Sequence, residues 1–164
     1  MYTMDFDTKI KIKENETMPC EIVWEHKGVH QRLSGHLSTG ELQDSVETVQ
    51  ADPRFDEIRY VINDFSAVTG HELDEQQLLE LSAIQYGAQA SNPRVWVVYV
   101  GADPELTRRL RSIQIDASQP AYRVALFDAL PQARDWLERK VETNWCRKLL
   151  NGGSSGRRLR LAPP

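Results

Sequence analysis

Val95-Trp96-Val97-Val98-Tyr99-Val100 is the longest unbroken apolar run in the chain. Every side chain in it is β-branched or aromatic, and neither of its alternating faces is polar. The run therefore predicts a strand at the centre of a sheet that is covered by helices on both sides. It is also far too short to span a bilayer, which takes about 20 apolar residues in a helix.

Just upstream, Asn92-Pro93 ends a helix whose core face carries Leu78, Leu81, Ile84 and Ala88. Arg59-Tyr60-Val61-Ile62-Asn63-Asp64-Phe65 reads as a second buried strand. Further back, Ser38 and Glu41 have the spacing of a capping box, Leu42, Val46 and Val49 fall on one helical face, and Asp52-Pro53 stops that helix. The earliest elements are two short strands, Glu21-Ile22-Val23-Trp24-Glu25-His26 and Val29-His30-Gln31-Arg32-Leu33-Ser34, folded about Lys27-Gly28 as a hairpin. Downstream, Asp103-Pro104 supplies a side-chain cap and a proline at the first position of a helix bearing Leu106, Leu110 and Ile113. Residues 122–127 form the last strand. Ala133, Trp136 and Leu137 then line a fourth helix that runs through Val141 towards Trp145. Strands separated by helices imply right-handed crossovers. The expected class is α/β, a small mixed, mainly parallel sheet of about four to five strands opened by an antiparallel hairpin, with about four helices.

A length of 164 residues fits one domain, at roughly 100–200 residues per domain. Hydrophobic residues make up 40% and charged residues 27%, which is the balance of a globular protein rather than a disordered one. Twenty basic residues against twenty-four acidic ones give a formal charge of −4, which offers no general attraction for nucleic acid or an anionic membrane. Three of those basic residues, Arg157, Arg158 and Arg160, follow the linker-like Asn151-Gly152-Gly153-Ser154-Ser155-Gly156. Residues 151–164 are accordingly expected to be a disordered basic tail. Residues 1–18 are expected to be a weakly ordered segment or an edge strand built on Ile10 and Ile12, which leaves the domain proper at residues 19–150. Met1-Tyr2-Thr3-Met4-Asp5-Phe6-Asp7 has neither the basic cluster nor the apolar core of a signal peptide, so a cytoplasmic location is expected, with Cys20 and Cys146 as free thiols.

Four stretches, taken in order, resemble a bacterial family: VWEHKGVHQRLSG, ADPRFDEIRYVINDFSAV, SNPRVWVVYVGAD and LFDALPQARDWL. The family is the STAS-like group, related to the anti-sigma-factor antagonists and to the CRAL-TRIO lipid-binding fold, and most of its members have no assigned function. The most specific part of the resemblance is Asp52-Pro53-Arg54-Phe55-Asp56 leading into Arg59-Tyr60-Val61-Ile62. It implies architecture and does not imply catalysis. The true antagonists carry an Asp-Leu-Ser-Gly-Val pattern followed by Asp-Ser-Ser-Gly, which holds a phosphorylatable serine. Asp64-Phe65-Ser66-Ala67-Val68 is similar to the first half, but Glu72, Leu73 and Asp74 stand at the positions of the second and offer no hydroxyl. The resemblance thus implies the antagonist surface without its phosphoserine switch, its place taken by fixed carboxylates.

Residues 66–75 lie beyond the carboxyl end of a predicted parallel strand, where open α/β sheets place ligands. Asp64, Ser66, Thr69, His71, Glu72 and Asp74 are therefore the candidate binding residues. Acids at the start of the following helix are also expected to cap it. His26, His30 and His36 fall on the hairpin without ligand spacing, so they read as ordinary surface histidines, and no metal or cofactor is expected. No glycine-rich phosphate loop or nucleophile elbow occurs, and an enzyme would require Asp64, His71 and Glu72 to converge. The expected function is a non-enzymatic cytoplasmic regulatory or adaptor module binding a protein partner, the alternative being a carrier of a small hydrophobic molecule or lipid.

Overall fold

The computed structural model describes residues 19–116 and 123–151, with side chains described for 19–112 and 123–141. The segments expected to be a weak N-terminal edge and a basic tail lie outside the described residues, apart from Asn151.

The sheet has five strands in the order of the chain: β1 (Cys20–Glu25), β2 (Gly28–Leu37), β3 (Tyr60–His71), β4 (Trp96–Val100) and β5 (Val124–Phe127). β1 and β2 pair antiparallel across the two-residue turn His26-Lys27, and all later neighbours pair parallel. The expected mixed, mainly parallel sheet is the one observed. The apolar run at residues 95–100 holds an interior position between β3 and β5, although the middle strand of the five is β3. Val95 precedes the strand and is still only 1% exposed.

Chain-order strands with right-handed crossovers put every crossover helix on one face. α1 (Thr39–Ala51), α2 (Glu75–Ala88) and α3 (Pro104–Asp116) pack there, sending Leu42, Val46, Leu78, Leu81, Leu106 and Leu110 against Leu33, Phe65, Val97 and Tyr99. The expected caps are made. Ser38 and Glu41 form a reciprocal capping box on α1, and Asp103 Oδ1 accepts from the Leu106 backbone at 2.8 Å to start α3. The 3-10 turn Pro53–Asp56 buries Phe55, and the buried Asn92 amide donates to the Phe55 and Ile58 carbonyls at 2.7 and 2.8 Å. That contact fixes the Asp52-Pro53-Arg54-Phe55-Asp56 stretch against the end of the chain that follows α2.

Among the described elements α4 (Leu130–Asn151) alone covers the opposite face. Ala133 and Leu137 pack on Ile62, Val98 and Val100, and Trp136 meets the Trp96 ring edge-on at 4.8 Å between centroids. Because α4 lies over β4 and β5, the β1–β3 part of this face carries polar side chains: Glu21, Glu25, His30, Arg32 and Asp64 all alternate onto it.

Candidate functional site

β3 is the element on which Asp64, Ser66, Thr69 and His71 stand, and it runs six residues further than the apolar pattern suggests, to His71. Residues 66–71 are therefore strand and not loop. Their partner is the equally extended β2, with Ser34 opposite Ala67, Gly35 opposite Val68, His36 opposite Gly70 and Leu37 opposite His71. Two irregularities, between Arg32 and Ser34 and between Gly35 and His36, let this ladder continue while the strands bend. β4 has already ended at Val100, opposite Asp64. The chain leaves β4 through Gly101 at φ +66°, and a Cβ there would lie 2.5 Å from Ser66 Oγ and 3.0 Å from its backbone. The outcome is a two-stranded parallel ribbon projecting past the rest of the sheet.

Ser66, Ala67 and Thr69 on this ribbon are exposed, as are Glu72 and Asp74 beyond it. The ribbon is braced from one side. His71 Nε2 lies 2.8 Å from Asp103 Oδ2, and Arg109 of α3 donates to the Leu73 carbonyl at 2.6 Å. The Leu106 backbone N–H, with help from His71, holds the Asp103 carboxyl below its usual range against burial. Glu72 faces His36 at 3.6 Å, both exposed. Asp74 is the N-cap of α2, in a reciprocal box with Gln77 at 2.8 and 2.9 Å, as expected for an acid at that position. Asp64, His71 and Glu72 do not converge. They engage separate partners, His30, Asp103 and His36 respectively.

Asp64 leads to a group of residues that the sequence reading missed. Its Oδ2 lies 3.0 Å from His30 Nε2, and its Oδ1 accepts from the Ser66 backbone N–H at 3.0 Å. Burial alone would raise the Asp64 carboxyl, but these bonds together outweigh it and hold it at about 2. His30 is 2% exposed and is no surface histidine. Its Nδ1 faces Arg134 Nη2 at 3.3 Å, and since a guanidinium only donates, Nδ1 accepts and the Nε2–H donates to Asp64. Arg134, from α4, also grips Glu25 with two bonds of 2.6 and 3.0 Å, and the Tyr60 hydroxyl donates to the same carboxylate at 2.6 Å. Arg134 holds the Glu25 carboxyl below its usual range, and burial, reinforced by Glu25, pushes the Tyr60 hydroxyl up to about 12. Tyr60–Glu25–Arg134–His30–Asp64 is thus one continuous polar chain across the α4 face of the sheet. A sequence signal existed for it. Leu130, Arg134, Leu137 and Val141 are spaced as one helical stripe, so an arginine occupies a core position.

Among the described residues no group of three or more histidine, cysteine or acidic side chains is arranged to hold a metal. No described helix is long and apolar enough to cross a membrane.

No family model matches the chain, and no curated protein matches it. Solved structures do. The anti-sigma factor antagonist SpoIIAA in its unphosphorylated form aligns with a TM-score of 0.50 at 10% identity, over 73% of this chain and 97% of that one. A Thermotoga maritima protein described as an anti-sigma factor antagonist aligns at 0.52 and 13%, over 73% and 94%. The fold is the one these antagonists share, the STAS-like architecture that the sequence resembled.

Proposed function

We propose that this chain is a non-enzymatic regulatory or adaptor module that recognises another protein through the surface formed by Asp64, Ser66, Thr69, His71, Glu72 and Asp74. The observation that carries this reading is the projecting β2–β3 ribbon. Among the described residues the far half of β3 is paired with β2 alone, Ser66, Thr69 and His36 present exposed polar side chains on the ribbon, and two carboxylates stand at its end. A rigid, half-paired, exposed edge suits recognition of a polypeptide, by added strand pairing or by charge. The description of two proteins of this fold as anti-sigma factor antagonists agrees with a regulatory role, although fold alone does not carry function. Lipid carriage between the crossover helices and the sheet has less support. The space under α1 and α2, lined by Gln31, Val49, Phe55 and Val95 among others, is about 20 Å³, room for a water molecule and not for an acyl chain. We place the module in the cytoplasm, with no cofactor.

The E72Q/D74N double variant tests the surface. Asparagine caps helices as well as aspartate, so thermal stability should change by only a few tenths of a kcal/mol, while two negative charges are lost. Capture of partners from host extract should be salt-sensitive for the parent and sharply reduced for the variant. Recovery of the same proteins in the same amounts would move the functional surface elsewhere.

A further inference from the structure

At the other end of β3 a cleft of about 260 Å³ opens between the β1–β2 turn and α4. The turn contributes His26 and Lys27, the sheet contributes Tyr60, and α4 contributes Arg134, Leu137, Glu138 and Val141 from one face. Its floor is fixed. The Tyr60 ring lies so close over Gly28 that any Cβ there would collide with it, and the hydroxyl is held by Glu25, which in turn holds Arg134. The charge of Arg134 is balanced by its two bonds to Glu25, so the interior presents no net charge. The rim differs. Lys27 and Glu138 are both exposed, come from opposite walls, and have no ion-pair partner among the described residues.

We propose that this cleft binds a free α-amino acid with an apolar side chain. A cleft holding one unpaired cation and one unpaired carboxylate, with balanced charge between them, is complementary to a zwitterion. A simple anion would face Glu138, and a simple cation would face Lys27. The ligand carboxylate goes to Lys27 and His26, its ammonium goes to Glu138, and its side chain lies against the Tyr60 ring, Leu137 and Val141. A volume of about 260 Å³, just below the roughly 300–1,000 Å³ of clefts for drug-sized ligands, accommodates a single amino acid.

The test is amide chemical-shift titration of the full chain with L-leucine and L-phenylalanine at millimolar concentrations. Parallel titrations use their single-charge analogues: 4-methylpentanoate, 3-methylbutylamine, 3-phenylpropanoate and phenethylamine. At least one amino acid should perturb residues 26–28, Tyr60 and residues 134–141, with its analogues weaker by at least about tenfold, since each lacks one charge-assisted contact. K27E and E138K should each weaken binding to the same extent at unchanged melting temperature, and the K27E/E138K swap should recover part of it. If the carboxylate analogue binds as tightly as the amino acid, or neither amino acid perturbs these amides, the proposal is overturned and the cleft is only the seam between α4 and the sheet.

Discussion

Gly28 shows how little freedom single positions have in this fold. It opens β2 directly beneath the Tyr60 ring, so a methyl group there has to displace a ring whose hydroxyl is tied to Glu25. Gly28→Ala should cost about 1–3 kcal/mol by overpacking, measured by chemical denaturation. An unchanged midpoint would mean that the ring can move aside freely. His30 teaches a related lesson about legibility. In Val29-His30-Gln31-Arg32-Leu33, alternation assigns His30 and Arg32 to the same outward face, and Arg32 is indeed exposed. His30 is buried because Arg134, 104 positions away, reaches across to it from α4. Strand periodicity gives the face on which a side chain stands and carries no information about what later covers that face.

Among the elements, β4 was the easiest to read and β3 the hardest. A strand apolar on both faces has to be sandwiched, and Val97 and Val98, pointing to opposite sides, are 5% and 0% exposed. Val97→Asp would bury an unpaired carboxylate among Phe65, Tyr99 and Leu106, a loss of several kcal/mol that a marginally stable domain does not survive. The expected outcome is insoluble or unfolded protein. A soluble variant melting within a few degrees of the parent would contradict the burial of that face. The far half of β3 was not legible because Ser66-Ala67-Val68-Thr69-Gly70-His71 has turn-like composition. It is a strand because β2 is long enough to pair with it, a non-local cause that composition does not record. Three of the six candidate site residues, Ser66, Thr69 and His71, thus stand on a rigid strand where a loop was expected, while Asp74 does what its position at a helix start announces.

At the scale of the whole molecule, the polar chain from Tyr60 to Asp64 joins the first hairpin, the middle strand and the last helix, so its titration is a property of the assembled domain. Asp64 is held at about 2 in the folded state, against about 3.9 when unfolded. A depressed carboxyl stabilises the fold above its unfolded value and loses that contribution as pH falls from about 4 to 2. His30 and the Ser66 backbone face this carboxylate directly, and Arg134 faces it through His30. The melting temperature of the parent should therefore drop over that window. Asp64→Asn should be less stable than the parent at neutral pH, with a shallower acid limb, so that the two curves approach each other near pH 2. Parallel curves in calorimetry would show that Asp64 contributes no linkage.

The order of the strands in the sheet, identical to their order in the chain, also decides how the domain can be made. Each strand, once synthesised, finds its only earlier partner already at the growing edge, so the sheet can be laid down from the amino end without waiting for any later piece. The three crossover helices close their side of it step by step. On the other side, among the described elements, the packing on Ile62, Val98 and Val100 comes from α4, the last of them, and Glu25 and His30 gain Arg134 only with it. The interval between the making of β4 and the making of α4 is therefore the stage of synthesis at which the apolar patch of Ile62, Val98 and Val100 stands without the helix that packs on it.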